Sequence, residues 1–322
     1  MAQLVTIFGG SGFIGRYTVR ALAKKGYRLR VAVRNPNLGN YLLPMGQVGQ
    51  VQLIKANVTS AEAVSAALRG ASATINLVGV LRQSGRQRFS TLHTKAAGVI
   101  ARTARAVGVE SLVHVSSAGI EDNRSSQYAR TKLEGEQLVR DAFPAATILR
   151  PSIVFGAEDN FFNRFAALAT ISPWLLPALP LIGGGKTKFQ PVYVGDVADA
   201  IVASLFNDNA AGKTYELGGP AVYTFRDLIE MILLDIGRRR RLMSVPFGLA
   251  TLQAMVLQLL PNAPLTVDQV RLLKHDNVVA PGANNLSDLG IEAQPLQAVL
   301  PTYLWRFRRE GQFEGHAGRA GA

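Results

Sequence analysis

The stretch that decides the fold is IFGGSGFIGRY, residues 7–17, near the start of the chain. An apolar run that reads as a strand, QLVTIF (3–8), leads into it, and a helix-like stretch, Phe13–Lys25, leads out. Gly9, Gly12 and Gly15 stand between the two at intervals of three residues. Such glycines permit a sharp turn, a close approach of the backbone to a pyrophosphate and tight helix packing. The stretch therefore predicts a loop that holds a dinucleotide at the helix N-terminus.

The residues flanking this loop bear on which dinucleotide it takes. NAD-selective folds carry Asp or Glu at the end of the second strand, where it accepts hydrogen bonds from the ribose 2′-hydroxyl. Here that position reads VAVRNP (31–36), with Arg34 in place of an acid. A guanidinium pairs with a 2′-phosphate and stacks on adenine, and Arg16 can approach the same phosphate. We therefore predict NADP(H) rather than NAD(H). The loop residues expected to contact the cofactor are Gly9, Ser11, Gly12, Phe13, Ile14, Gly15 and Arg16.

The rest of the first 150 residues alternates short β-rich runs with helix-like stretches. This alternation predicts an α/β fold, a doubly wound parallel sheet of the Rossmann type. Residues 1–150 would form the nucleotide-binding domain, residues 151–308 a smaller C-terminal α/β lobe interleaved with the sheet, and residues 309–322 a disordered tail. Within the lobe, the Pro- and Gly-rich stretch 171–189 reads as an apolar loop. The strand-like runs are 3–8, 28–33, 50–56, 72–78, 111–117 and 146–151, and the helix-like ones are Phe13–Lys25, Ala61–Leu68, Ser90–Val107 and Gln127–Asp141.

Composition narrows the classes of function. The chain has 322 residues, 48% of them hydrophobic, so a large core is expected. It has no cysteine, which excludes thiolate metal sites and cysteine nucleophiles, and its four histidines are scattered, so we expect no metal. A net charge of +13 indicates an anionic partner. Aromatic residues are few and no nucleic-acid-binding motif is present, so we do not expect nucleic acid to be that partner. The first strand-like run begins at Gln3, which leaves no space for a signal peptide.

A candidate catalytic group lies in the second half of the predicted sheet. Tyr128 and Lys132 are four residues apart on a predicted helix and therefore share one face. Ser116 and Ser117 end the strand just before them. A phenol whose pKa is lowered by a nearby ammonium group acts as a general acid or base at a carbonyl, and a serine hydroxyl can position the same oxygen. We take Ser117, Tyr128 and Lys132 as the set, with Ser116 as the alternate serine.

Taken together, these motifs resemble the short-chain dehydrogenase/reductase superfamily in its extended or atypical branch. The glycine triplet, NLVG (76–79), VSS (115–117), the Tyr128–Lys132 pair and LRPSIVFG (149–156) carry the resemblance. It implies a Rossmann fold, a lysine that also holds the nicotinamide ribose and a cofactor lying along the strand ends. The further positions it implies for the cofactor are Asn57 and Val58 beside the adenine, Leu77, Val78, Gly79 and Ser116 along it, and Pro151 and Ile153 beside the nicotinamide.

A narrower resemblance concerns segments beyond these motifs. FGAEDNFFNRF (155–165), GKTYELGGP (212–220) and DLGIEAQPL (288–296) are similar to the nucleotide-binding accessory subunits of respiratory complex I. That resemblance implies complex I subunits as partners, a tightly held structural NADP(H), and a peripheral location on the cytoplasmic face of a bacterial inner membrane. The alternative is an active NADP-dependent reductase, epimerase or dehydratase that uses the serine, tyrosine and lysine.

One basic and apolar stretch belongs to neither set of motifs. Arg238–Arg241 precede a mostly apolar segment that runs to Pro261 and is interrupted by Ser, Pro, Gly and Gln. An arginine run beside an amphipathic helix is typical of a segment lying on an anionic membrane surface. It is equally typical of a helix that docks on a partner protein, and a core helix with a solvated arginine run is the third interpretation.

Overall fold

Strands and helices alternate closely along the chain. The computed structural model describes residues 3–85, 87–174, 177–260, 263, 265–309 and 311. The strands are β1 Leu4–Phe8, β2 Arg28–Val33, β3 Val51–Lys55, β4 Ala73–Asn76, β5 Ser111–Val115, β6 Thr147–Pro151, β7 Val154–Phe155, β8 Ala178–Ile182, β9 Lys188–Phe189, β10 Val192–Tyr193, β11 Thr214–Leu217, β12 Tyr223–Thr224 and β13 Arg241–Val245. The α-helices are α1 Phe13–Lys24, α2 Ala61–Leu68, α3 Ala96–Ala106, α4 Gln127–Ala142, α5 Phe162–Thr170, α6 Val194–Ser204, α7 Phe225–Asp235, α8 Phe247–Leu257, α9 Val267–Leu272, α10 Leu296–Val299 and α11 Pro301–Leu304. Short 3₁₀ segments span Pro36–Met45, Gly183–Gly185, Ser287–Leu289 and Trp305–Phe307, and a π-helix spans Ser90–Lys95.

The first six strands and β11 form a seven-stranded parallel sheet. Its strand order is β11-β6-β5-β4-β1-β2-β3, and every pairing in it is parallel. The order reverses at β1, which has β2 on one side and β4 on the other. In open α/β sheets, ligands bind outside the carboxyl ends of the strands at such a reversal. The predicted doubly wound α/β fold is confirmed, and each of the six strand-like runs is a strand.

Burial explains why these runs form strands of a parallel sheet. Val5, Ile7 and Phe8 of β1 are fully buried, as expected for a strand covered by helices on both faces. On one face, Phe8 packs in a cluster with Val64 of α2 and Ile100 of α3. Helix α1 packs against α6. The strands are therefore held firmly by packing up to the carboxyl edge of the sheet, where the loops that follow β1, β4 and β5 begin.

The chain divides into two compact units. The first comprises Met1–Ser152, Val194–Gly218 and Val279–Ala293, so it takes β11 and α6 from the second half of the sequence. The second comprises Ile153–Tyr193, Gly219–Val278 and Gln294–Ala322, and its core is rich in phenylalanine, with Phe155, Phe162 and Phe225 buried. The tail 309–322, predicted to be disordered, lies outside the described residues except for Arg309 and Gly311.

Residues 171–189 contain regular structure, so the prediction of an apolar loop was wrong. Ala178–Ile182 form β8, which pairs in parallel with β13, Arg241–Val245. The partner strand lies about sixty residues further along the chain, and its hydrogen bonds satisfy the backbone groups of β8. Local turn signals cannot reveal a partner so distant in the sequence. The prediction of helix over Ser90–Val107 also needs one correction, because its first turns form a π-helix.

Candidate functional site

The glycine loop lies at the carboxyl end of β1, at the reversal of strand order. Gly9 has a φ of +82°, and a Cβ there would come within 2.9 Å of the Leu77 carbonyl carbon. A Cβ on Gly15 would lie 2.5 Å from the backbone of Gly10. The first glycine therefore permits the turn beside the loop after β4, and the last permits α1 to start directly against the turn.

The N-terminus of α1 suits an anion. Its N-cap residue is Gly12, which has no side chain with which to accept from the first-turn N–H groups, and no acidic residue stands in the first turn. Those N–H groups, together with the helix dipole, favour a negative charge at this end. The residues present therefore fit the pyrophosphate of a dinucleotide, and Phe13, Ile14 and Gly15 would supply the amide groups.

Two arginines and one tyrosine lie beside the loop. Arg34 is exposed and stands one residue past the end of β2, where NAD-selective folds carry an acidic residue. The Arg16 guanidinium carbon stands 5.0 Å from the centre of the Tyr41 ring, and the Tyr41 hydroxyl donates to the Ser11 carbonyl at 2.6 Å. Sequence reasoning predicted Arg16, Arg34 and Ser11 but missed Tyr41. No local signal marks Tyr41, because its 3₁₀ segment reaches the glycine loop only in the folded chain.

The residues expected beside the adenine lie in the turn between β3 and α2. Asn57 follows β3, and its side-chain oxygen accepts from the Thr59 amide at 3.1 Å and the Thr59 hydroxyl at 2.8 Å. Val58 is half-buried against the core. The Asn57 side chain thus stabilises the turn into α2, and its contact with adenine stays a prediction.

The loop after β4 approaches the candidate catalytic lysine. Leu77 donates its amide to the Phe8 carbonyl at 2.9 Å, and Val78 donates to the side chain of Asn76 at 3.0 Å. A Cβ on Gly79 would lie only 3.2 Å from Lys132 Nζ. Leu77, Val78 and Gly79, which were predicted to line the cofactor, therefore lie between the glycine loop and Lys132.

Tyr128 and Lys132 lie on the buried face of α4, as their spacing predicts. The Lys132 side chain is buried, and Nζ donates to the Val115 carbonyl at the end of β5, 3.2 Å away. Burial lowers the pKa of Lys132 to about 8, against an opposing effect of Glu136. Lys132 is thus an ammonium group whose pKa lies well below that of an ordinary lysine, a property common among groups at functional sites.

The two serines after β5 differ in their surroundings. Ser116 is buried, and its hydroxyl has no hydrogen-bond partner among the described residues. Ser117 is half-buried, and its hydroxyl lies 3.5 Å from the Ala118 carbonyl, which is a weak contact. An unsatisfied buried hydroxyl is costly, so it favours a further polar partner for Ser116. Ser116, the alternate serine, therefore fits the predicted catalytic role at least as well as Ser117 does.

Sequence reasoning missed His93, which contacts Tyr128 and Thr131 on the buried face of α4. Its ring lies edge-on to Tyr128, with centroids 5.2 Å apart, and Nδ1 is 3.1 Å from the Thr131 hydroxyl. Nε2 is 3.1 Å from the Val80 amide and carbonyl. Burial, followed by the charge of Lys132, lowers the pKa of His93 to about 3. The ring is therefore neutral at pH 7. It comes from the π-helix, a feature often found at functional sites.

A buried ion pair fixes α4 against the sheet. Arg150 of β6 donates to both carboxylate oxygens of Glu136, at 2.9 and 2.7 Å, and also contacts Glu121 at 2.7 Å. Bidentate pairing of this kind sets orientation as well as distance. Glu136 is one helical turn beyond Lys132, so the pair holds the face of α4 that carries Tyr128 and Lys132 in place.

The last two predicted cofactor residues stand on either side of the point in the sequence where the first unit gives way to the second. Pro151 ends β6, is buried, and accepts from the Ala118 amide at 2.9 Å. Ile153 is the first residue of the second unit and packs against its phenylalanine-rich core. Their contact with the nicotinamide stays a prediction.

Comparison with known proteins agrees with the fold and the glycine loop. The sequence pattern of the NAD dependent epimerase/dehydratase family matches residues 5–218, which is most of the first unit. The chain belongs to this family.

Two relatives are similar over nearly the whole chain. The mitochondrial NADH dehydrogenase [ubiquinone] 1 alpha subcomplex subunit 9 of Arabidopsis thaliana is 34% identical over 320 residues, 96% of this chain and 79% of that protein. The mitochondrial 40 kDa subunit of NADH-ubiquinone oxidoreductase from Neurospora crassa is 31% identical over 310 residues, 96% of this chain and 80% of that protein. The chain is therefore a homologue of these subunits of complex I along both of its units.

A solved structure extends the likeness in fold. The NADPH-dependent quinone oxidoreductase of Escherichia coli, solved with NADPH, has a TM-score of 0.73 and 19% identity, and covers 93% of this chain and 99% of that one. At this level of identity the likeness concerns the fold alone.

The second unit carries an apolar outer helix face beside the arginine run. On α8, Ala250 and Ala254 face inward and are fully buried, whereas Leu252 and Val256 are 62% and 65% exposed. Leu249, Met255, Leu259 and Leu260 are also exposed. The predicted amphipathic helix therefore carries apolar residues on both sides, small ones facing inward and large ones facing outward. No helix within the described ranges is both long and apolar enough to cross a bilayer.

The arginine run divides into two pairs. Arg238 donates to the Phe307 carbonyl at 3.3 Å, and Arg240 donates to the carbonyls of Ala169 and Ile171. Arg239 and Arg241 are exposed. Arg238 and Arg240 therefore stabilise the fold of the second unit, whereas Arg239 and Arg241 face solvent.

Proposed function

We propose that this protein is an NADP(H)-binding accessory or assembly subunit of respiratory complex I, in which the nucleotide is chiefly structural. The observation that carries the proposal is similarity across 96% of the chain to proteins named as subunits of that complex. The likeness spans the second unit as well as the nucleotide-binding one. A protein that had kept only the fold would have no reason to match the relatives along its full length.

The preference for NADP(H) rests on the adenosine end of the loop. Arg34 and Arg16 flank it, and no acid stands at the end of β2 to accept from a ribose 2′-hydroxyl. Guanidinium groups bind phosphate with paired, charge-assisted hydrogen bonds. An arginine at the position of the usual acid favours the nucleotide that carries the extra phosphate.

The alternative function is an NADP-dependent reductase, epimerase or dehydratase. A specific observation favours it: Tyr128 and Lys132 share a face of α4, and burial lowers the pKa of Lys132 to about 8. The bound nucleotide would supply hydride transfer, Tyr128 would move a proton at the substrate oxygen, and Ser116 or Ser117 would orient that oxygen. The same side chains also suit simple retention of the nucleotide, because lysine can bond the nicotinamide ribose.

The membrane-side location rests on the second unit. No acidic residue occurs between Asp235 and Asp268, while this stretch contains four arginines and the apolar outer face of α8. Exposed apolar side chains beside unbalanced positive charge suit an anionic lipid surface. We place the protein peripherally on the cytoplasmic face of a bacterial inner membrane, with complex I subunits as its partners.

One purification tests the proposed function. The tagged protein, isolated from native membranes in mild detergent, should bring complex I subunits with it. After gel filtration it should release NADP(H) and not NAD(H) on acid extraction, and the bound NADPH should resist oxidation by added carbonyl compounds. Isolation without complex I subunits, together with NADPH oxidation on a panel of carbonyl compounds or sugar nucleotides, would establish the enzyme instead.

A further inference from the structure

Trp174 differs from the other apolar side chains of the second unit in its exposure. At 94%, it is the most exposed large apolar side chain in the part of that unit that the structure describes. The chain's other tryptophan, Trp305, is 38% exposed, and its indole Nε1 donates to the Thr302 carbonyl at 2.9 Å. A single exposed apolar residue needs no functional explanation by itself. The residues that lie beside Trp174 therefore decide what its exposure means.

Trp174 lies between two points at which the chain contacts the arginine run. Arg240 donates to the carbonyl of Ile171, three residues before Trp174. Ala178, four residues after Trp174, begins β8 and pairs with Arg241 of β13. A fully extended chain spans at most about 3.6 Å per residue, so the Cα atom of Trp174 lies within about 14 Å of the Cα atom of Ala178. Trp174 and the arginine run are therefore neighbours within the second unit.

The two segments that meet here carry positive charge and no acidic residue. Arg239 and Arg241 are exposed, and neither makes an ion pair with another residue of the described ranges. The sequence has no Asp or Glu over residues 160–195, and none over residues 236–267. An exposed indole ring and two exposed guanidinium groups therefore lie on segments that supply no carboxylate to balance them.

An anionic bilayer offers what both kinds of side chain require. The indole ring is apolar apart from one N–H donor, and tryptophan is accordingly enriched at the headgroup level of membranes, between the dry and the wet region. An arginine near an anionic surface strengthens binding about fivefold. A fluid bilayer also accepts the ring without a preformed pocket, which a protein partner would have to provide.

We infer that Trp174 is a membrane-contact residue: its indole ring enters the interface of an anionic bilayer, while Arg239 and Arg241 bind the headgroups around it. The inference rests on the proposed peripheral location at the membrane. It adds a contact that is separate from the apolar outer face of α8, because it comes from the chain that precedes β8. The ring acts through insertion and the arginines act through attraction.

Tryptophan fluorescence tests the insertion directly. Trp305→Phe leaves Trp174 as the chain's only tryptophan, and Trp174→Phe leaves only Trp305. With vesicles containing phosphatidylglycerol, the emission of Trp174 should shift to shorter wavelength and should be quenched by lipids brominated on their acyl chains. The emission of Trp305 should stay unchanged. Pure phosphatidylcholine vesicles should leave both spectra as they are in buffer.

Sedimentation with vesicles measures how much the ring contributes. Trp174→Ala should lower the partition into phosphatidylglycerol vesicles about tenfold or more, because a large apolar side chain no longer enters the interface. Its unfolding in urea should match that of the wild type, since Trp174 is almost fully exposed. Leu38→Ala removes a 75% exposed apolar side chain from the first unit and is the matched control, so it should leave the partition unchanged.

An unshifted Trp174 emission in vesicle-bound protein would overturn the inference, and so would equal partition of Trp174→Ala and the wild type. A shift of Trp305 as large as that of Trp174 would indicate a general change of structure and would also overturn it. A wild type that binds neither kind of vesicle would instead refute the proposed membrane-side location. Co-purification with complex I subunits and retention of NADPH are separate measurements that do not depend on Trp174.

Discussion

His93, His114 and Lys132 form a cluster of basic side chains inside the first unit. All three are buried, and burial is the main reason that each pKa lies below its ordinary value. The positive charge of Lys132 adds to the effect on both histidines. His114 also contacts the Asn76 side chain through Nδ1 at 3.0 Å. The folded protein thus keeps two neutral imidazoles beside one ammonium group, which limits the local positive charge.

This cluster predicts how stability depends on acid pH. Burial lowers the pKa of both histidines to about 3, against 6.5 as the ordinary value. Between these values the unfolded chain binds more protons than the folded one, so the free energy of unfolding rises with pH and falls on acidification. Each histidine contributes up to about 1.4 kcal/mol per pH unit within this window. Urea unfolding at pH 6.5, 5.5 and 4.5 measures the slope.

Replacing one histidine isolates its share of that slope. His114→Asn should lower stability at neutral pH but also flatten its decline between pH 6.5 and 4.5. The wild-type ring signals of His93 and His114, followed by NMR, should keep the shifts of a neutral imidazole at pH 5. Protonation of both rings near pH 6.5, or an unchanged slope in His114→Asn, would show that burial does not lower the pKa values of these histidines.

At the scale of elements, the meeting of α4 with the π-helix sets the geometry of the site. The π-helix, Ser90–Lys95, supplies His93, and α4 supplies Tyr128 and Lys132. They pack very closely at Gly135, where a Cβ would lie 2.1 Å from the His93 carbonyl oxygen. Backbone atoms cannot yield as a flexible side chain would, so this position requires glycine for its lack of a side chain.

Gly135→Ala should therefore destabilise the protein despite the higher helix propensity of alanine. Forcing the two helices apart should cost about 1–3 kcal/mol or more, which is typical of overpacking in a core. It should also weaken NADPH binding, because Lys132 is displaced from the loop after β4. Denaturant unfolding and nucleotide titration measure the two effects.

Gly248→Ala gives the matched control, since Gly248 is also helical and a Cβ there meets nothing within 4 Å. Alanine should stabilise that helix by up to about 1 kcal/mol relative to glycine. Similar, small effects from both substitutions would mean that α4 and the π-helix do not pack as closely as the structure indicates.

At the scale of the whole molecule, two exposed pairs of basic residues differ in their surroundings. Lys24 and Lys25 are exposed at the end of α1 in the first unit, and Arg239 and Arg241 are exposed in the second. Only the second pair precedes a helix with a large apolar outer face, α8. A binding surface for anionic lipid needs both properties together, because charge attracts the protein and buried apolar area holds it.

Flotation with vesicles tests this surface. The protein should float with vesicles containing phosphatidylglycerol and should not float with pure phosphatidylcholine vesicles. Arg239→Glu with Arg241→Glu should abolish flotation because the attraction becomes repulsion. Leu252→Gln with Val256→Gln should reduce it strongly, through loss of buried apolar area. Raising the salt to 0.5 M should weaken binding by the wild type.

Lys24→Glu with Lys25→Glu makes the same change of charge elsewhere and should leave flotation nearly intact. Loss of flotation in this control, equal to the loss in the arginine variant, would indicate attraction by net charge alone. A wild type that does not float with anionic vesicles would exclude the lipid surface. The apolar face of α8 would then fit a protein partner.

The sequence by itself determined the doubly wound fold and the place of the nucleotide loop. Both depend on local patterns: apolar runs of strand length, helical spacing, and glycines between a strand and a helix. The spacing of Tyr128 and Lys132 likewise predicted a shared helix face, because one turn of helix is a local repeat. These features need no knowledge of what packs against them.

Only the tertiary structure decided which side chains meet at the sheet edge and on the second unit's surface. Tyr41 reaches Ser11 across thirty residues, and His93 meets Thr131 across thirty-eight. The pairing of β8 with β13 and the division of the arginine run into bonded and exposed pairs are also long-range. Periodicity describes a residue's neighbours along one element. Contacts between elements depend on how the whole chain packs, and no local pattern encodes them.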